Sequence, residues 1–159
     1  MKSTVFIMFS ATILASCATE PYLLRAPEKY NASVSADCRI DVENANFEVG
    51  GRVEPSVPSL AQVMRVEACS RPALVNIPIT FHVEEATCLF GRRIGLGSPA
   101  VRSHLELTYT TNGNRSDALS ETAQMDGTGR QLCDITFWPL VITVIDQVEQ
   151  SIQESNGSE

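Results

Sequence analysis

The cysteines carry the most distinctive chemistry in this sequence. There are five, Cys17, Cys38, Cys69, Cys88 and Cys133. A thiol can ligate a metal, attack a substrate, carry an acyl chain or close a disulfide, and spacing separates these uses. No C-x-x-C pair is present and the only imidazoles are His82 and His104, so the spacing of a structural zinc site is missing. His82, Glu84, Glu85 and Cys88 lie close along the chain, yet strand alternation would point Glu85 away from His82 and Glu84. No metal and no cofactor are expected. Nucleophilic catalysis is equally poorly served, since two isolated histidines and no G-x-S-x-G elbow leave no triad to assemble. The adjacent pair Glu84-Glu85 is expected on opposite strand faces, which does not suit a two-carboxylate hydrolase. No catalytic residue is assigned, and the chain is expected not to be an enzyme.

An odd cysteine count needs an explanation, and the N-terminus offers one. Lys2 precedes an uncharged run with Val5, Phe6, Ile7, Met8, Phe9, Ile13 and Leu14. A stretch of roughly 11 residues is too short to span a bilayer, which takes about 20. It ends in Leu14-Ala15-Ser16-Cys17, which resembles a bacterial lipobox. That resemblance implies cleavage before Cys17, diacylglyceryl and palmitate-type acylation of its thiol, and a lipid-anchored protein of the bacterial envelope. Ala18 resembles the class destined for the outer membrane, facing the periplasm. An ordinary signal peptide cut near Ala18 is the competing reading; the sequons at Asn31, Asn114 and Asn156 would then matter as glycosylation sites. With Cys17 spent on lipid, Cys38, Cys69, Cys88 and Cys133 can form two disulfides in an oxidising compartment. Three connectivities are open, and the sequential one is favoured only because it closes the shorter loops.

Composition sets the frame for these sites. The 159 residues suffice for one domain, and 43% apolar content is that of a folded one. Net charge is −7, which argues against nucleic acid as a partner and against attraction of the whole domain to anionic lipid.

The elements follow from periodicity. Residues 1–16 read as a signal peptide, 17–36 as a lipid-anchored tether, 37–154 as one globular domain and 155–159 as a disordered tail. Ile40 and Val42 alternate with Asp41 and Glu43, and Gly50-Gly51 marks a turn or bulge. Ser59 to Gln62 has capping-box spacing ahead of a helix over 59–69. Ile77, Ile79, Phe81 and Val83 give a half-buried strand. A second strand runs toward Asn112-Gly113-Asn114, a hairpin tip, and returns over 117–125 with Leu119, Ala123 and Met125 inward. Cys133, Ile135 and Phe137 share a strand face. Pro139 then opens an amphipathic helix over 139–154 with Val141, Ile145, Val148 and Ile152 inward. The fold class is α+β: a mostly antiparallel sheet of five or six strands with one or two helices on one face, including this C-terminal helix.

Two functions fit this frame. One is a structural or accessory lipoprotein that binds an envelope protein; the other is a small apolar-ligand or lipid-binding module with an enclosed cavity. Residues 89–101 read as a long loop, and Arg92, Arg93 and Arg102 make it a local positive site for an acidic partner. The acylated cysteine is directly testable. Intact mass should show acyl chains on a mature chain that starts at Cys17, and Cys17→Ser should move the protein out of the membrane fraction; an unacylated mature mass would contradict the lipobox.

Overall fold

The structure is a computed structural model that describes residues 24–54, 56–92, 99–127 and 129–156, with Leu24, Val57 and Arg92 described by backbone alone. The residues expected as signal peptide, and Cys17, lie outside the described residues.

The centre of the fold is a long antiparallel hairpin. To name its parts in chain order, β1 is Leu24–Arg25, β2 Ile40–Glu43, β3 Phe47–Val49, β4 Arg52–Glu54 and β5 Ser56–Val57. Helix α1, Leu60–Cys69, precedes β6, Ile79–Arg92, and β7, Pro99–Thr111. After these come β8, Asn114–Arg115, β9, Leu119–Asp126, and helix α2, Gln131–Asn156. Strands β6 and β7 pair from Ile79↔Thr111 to Arg92↔Pro99. They lie at the middle of a seven-stranded sheet in which β3 and β4 extend one side and β8 the other, while β2 also joins β6 and β9 also joins β7. The β2–β6 and β3–β6 pairs are parallel and the rest of this sheet is antiparallel.

Three local features explain this arrangement. The Ser59 hydroxyl accepts the Gln62 N–H at 3.2 Å and caps α1, as the spacing predicts. Asn112 and Gly113 adopt φ of 50° and 82°, the left-handed pair that a two-residue hairpin requires. Strand β6 changes register between Val83 and Glu85. Ahead of that bulge Ile79, Phe81 and Val83 are buried; beyond it the buried positions are Ala86 and Cys88. One extra residue thus returns the second half of the strand to the core face. It also turns Glu84 and Glu85 both outward, correcting the expectation that they oppose one another.

Helix α2 covers the core face of β7 and β9, and α1 packs against β2 and α2. Its buried positions include Cys133, Phe137, Val141, Val144, Ile145, Val148 and Ile152. The helix begins at Gln131, so Cys133, Ile135 and Phe137 are helical rather than extended and Pro139 is interior. Pro139 lies on the exposed side. The helical hydrogen bond it cannot make would run to the carbonyl of Ile135, also exposed, where water can substitute. The Phe137 ring meets that of Phe47 in a tilted contact with centroids 4.4 Å apart and that of Trp138 edge-on at 5.3 Å, filling the space between α2 and β3. On the returning strand Leu119 and Ala123 pack against the core, whereas Met125, expected inward, is 38% exposed although its cross-strand partner Val101 is buried.

Cys38 is bonded to Cys69 and Cys88 to Cys133, the sequential pairing. The first ties the segment before β2 to the end of α1; the second ties β6 to α2. Loop-closure reasoning for the 45-residue separation gives about 4 kcal/mol. Cys88→Ala/Cys133→Ala should therefore lower unfolding stability by about that amount in urea titration, against a smaller loss for Cys38→Ala/Cys69→Ala, which closes 31 residues.

Candidate functional site

Residues 24–32, part of the segment expected as tether, are in contact with the domain. Strand β1 pairs with β5. The Arg25 N–H donates to Asp134 Oδ1 at 3.0 Å, and its carbonyl accepts the Trp138 indole N–H at 2.8 Å. A 3₁₀ turn over Glu28–Asn31 then buries Tyr30. The Tyr30 hydroxyl donates to Glu67 Oε2 at 2.7 Å and Lys29 Nζ reaches the same oxygen at 3.2 Å. Arg71 donates to Glu67 Oε1 at 3.1 Å and pairs with Asp146 at 2.7 Å. Burial alone would raise the Glu67 pKa, but the Tyr30 hydroxyl, Lys29 and Arg71 outweigh it and hold the carboxyl below its ordinary value. Burial pushes the Tyr30 hydroxyl up.

These contacts give the segment a direction. Arg25 is fastened to Asp134 and Trp138, and Tyr30 is linked through Glu67 and Arg71 to Asp146, further along α2. The segment therefore runs alongside α2 from that helix's N-terminal end.

The face of the sheet opposite the helices is polar. His82 Nδ1 lies 2.9 Å from Glu43 Oε2 and its Nε2 lies 3.0 Å from Thr110 Oγ1. His104 Nδ1 lies 2.9 Å from Thr122 Oγ1, with Glu106 at 3.6 Å from its other nitrogen. Arg115 pairs with Glu84 at 2.6 Å and donates to Thr108 Oγ1 at 3.1 Å. The Glu43–His82–Thr110 order is that of a carboxylate–imidazole–hydroxyl relay, but such chemistry also needs oxyanion donors around the hydroxyl. Thr110 instead stands on an open face with Thr80 and Arg115 as its cross-strand neighbours. Both histidines act here as cross-strand struts. Beside the bulge, where β2 gives way to β3, an open cleft of about 510 Å³ is walled by Asn44, Asn46, Glu48, Glu84, Glu85 and Thr87. Among the described residues no group of three or more His, Cys, Asp or Glu is arranged to hold a metal ion, and no helix is long and apolar enough to cross a membrane.

The far end of the β6–β7 hairpin has a different character. The expected loop over 89–101 is strand on both sides, since Leu89 to Arg92 and Pro99 to Val101 continue the ladder. Gly91 and Pro99 suggested a loop, but Pro99 opens its strand, where a missing N–H costs no ladder bond. Arg93 lies outside the described residues, and Arg92 is placed only by its pairing with Pro99. Arg52 and Arg102 are exposed. Arg130 lies 5.8 Å over the Phe90 ring and 3.9 Å from Glu54. Four large apolar side chains are exposed around them: Val53 at 64%, Leu89 at 49%, Phe90 at 40% and Met125 at 38%.

No protein-family model matches this chain, and no curated protein matches it. Among solved structures it is similar to a minor lipoprotein from Acinetobacter baumannii, at 12% identity and a TM-score of 0.42 over 78% of this chain and 96% of that one.

Sequence reasoning missed the fastening of residues 24–31 because Tyr30 and Glu67 lie 37 positions apart; the only local signal was an aromatic within a polar stretch. The clamp makes a signed prediction. Glu67→Gln should destabilise the domain by about 2 kcal/mol near neutral pH. A carboxyl whose folded pKa lies below its ordinary 4.5 contributes fully above that value and loses its contribution as pH falls through the folded pKa. Urea unfolding should therefore show a gap between the two proteins near pH 7 that narrows near pH 3; an equal gap at both would mean that the charge on Glu67 is not what stabilises.

Proposed function

We propose that this protein is a lipid-anchored accessory module of the bacterial envelope that holds a disulfide-stapled domain close to a membrane and presents its open sheet face to an envelope protein. The observation that carries the reading is the clamp on residues 24–31. A freely tethered carrier has no use for a fixed N-terminal segment, whereas an anchored scaffold needs one to transmit the anchor's position to the rest of the domain. The lipobox-like Leu14-Ala15-Ser16-Cys17 and the odd cysteine count support anchoring at Cys17. Anchoring by two or more acyl chains suffices without any other attraction. An outer-membrane, periplasm-facing position follows from Ala18 only as part of this proposal.

The alternative, an apolar-ligand or lipid carrier, calls for an enclosed apolar cavity. The cleft beside the bulge is open and mostly polar-walled, and the large core side chains Phe47, Phe81, Phe137 and Leu105 are buried. The open face offers side chains already ordered by cross-strand pairing, which lowers the entropy cost of binding. Photo-crosslinking residues placed at Thr80 and Ser120, on the open face away from the hairpin end, should give a discrete protein adduct in the native envelope, while one at Gln150 on the outer side of α2 should not. Equal labelling at all three, or native mass showing a copurified lipid in place of an adduct, would overturn the protein-binding role.

A further inference from the structure

Two features described separately lie at the same end of the molecule. Arg25, near the start of the described N-terminal segment, is fastened to Asp134 and Trp138 at the N-terminal end of α2, and Cys133 joins that end of the helix to Cys88 near the finish of β6. That is also the end with Arg52, Arg102 and Arg130 and with exposed Val53, Leu89, Phe90 and Met125. Only Ala18 to Leu23, six residues, separate Cys17 from the first docked residue. Fully extended, that connection reaches roughly 25 Å. From Ile79 to Phe90 the sheet is roughly 36 Å long at 3.3 Å per residue. An anchor at Cys17 therefore keeps the hairpin end near the bilayer, and the opposite end, with Asn76 and Asn112, is directed away from it.

We propose that the hairpin end is a bilayer-docking surface, in which the exposed apolar side chains enter the interfacial region and Arg52, Arg102 and Arg130 meet anionic phospholipid headgroups. The proposal rests on the anchored reading and gives this surface its occupant. The register brings them together at the rim: Phe90 and Met125 flank Val101, which is itself buried, from the two neighbouring strands of one face. On the other face Leu89 pairs with Arg102, placing a cation one strand from an apolar side chain. Apolar side chains interleaved with arginines are the composition of an interfacial surface. Net charge argues otherwise for the domain as a whole, at −7 for the chain. A juxtamembrane surface responds to the charges within a Debye length of the headgroups, however, and acids at the opposite end are screened at that distance. The carboxylates at this end are Glu54, which lies 3.9 Å from Arg130, and Asp126, level with Ala100, set against Arg52, Arg102 and Arg130.

The test uses the full acylated chain in vesicles of phosphatidylcholine with phosphatidylglycerol, brominated on the acyl chains near the headgroups. The protein has a single tryptophan, Trp138, which is buried, so emission added by a second one can be read by difference. Phe90→Trp should lose most of its added emission to brominated lipid, and Asn76→Trp essentially none. Arg52→Ala/Arg102→Ala in the Phe90→Trp background should reverse much of that loss, as should omission of phosphatidylglycerol. Vesicle flotation is measured in the same samples. A chain that does not float refutes the anchor itself. A chain that floats with Phe90→Trp unquenched leaves the anchor standing and overturns docking, in favour of an acidic protein partner at this surface. Quenching that ignores both arginines and anionic lipid overturns the headgroup contact.

Discussion

The fold turns on a parity problem within one strand. Phe81 and Cys88 are both buried against the helical layer, yet they are seven positions apart, and an unbroken strand would send them to opposite faces. Cys88 has to face inward because its disulfide partner Cys133 lies on α2. The register shift between Val83 and Glu85 resolves the conflict. Once it is present, the neighbouring strands must accommodate it. Strands β2 and β3 are in effect one parallel strand broken opposite the bulge, with Asn44 in left-handed conformation at the break. The polar cleft beside Glu84 and Glu85 is the space left by that double interruption.

Several features were readable in the sequence because they depend on residues near one another. The Ser59 cap, the Asn112-Gly113 turn and the alternation from Ile79 to Val83 are of this kind. So was the α+β class, although the sheet has seven strands rather than five or six. The errors fall where local and tertiary signals compete. Cys133, Ile135 and Phe137 alternate as a strand would, but Phe137 also belongs to a helical stripe with Val141, Val144 and Val148, and the longer pattern prevails once β7 and β9 offer a face to cover. The bulge left no trace that single-strand periodicity could expose, since Glu84-Glu85 is compatible with either register. Of the proposed interaction residues, Arg102 could be followed to an exposed position on the sheet, whereas the open-face struts joining His82 to Thr110 and His104 to Thr122 depend on pairing register and were out of reach.

Burying Glu67 among Tyr30, Lys29 and Arg71 is costly unless every partner is in place. The same cost gives the arrangement its specificity. Removing the N-terminal segment would strip the carboxylate of two of its donors, so the docked and undocked states differ by more than the apolar contacts of one tyrosine. A segment that composition alone marks as a polar spacer is thus a component of the domain.

The disulfide connectivity bears on how the chain could be made. The cysteines of the domain pair in their order along the chain, the first with the second and the third with the fourth, Cys38 with Cys69 and Cys88 with Cys133. For a polypeptide threaded through a translocon N-terminus first, the first two thiols emerge together before the second two. An oxidase that joins cysteines in order of arrival would produce the native bonds at the first attempt, so maturation of this domain makes no inherent demand on a disulfide isomerase.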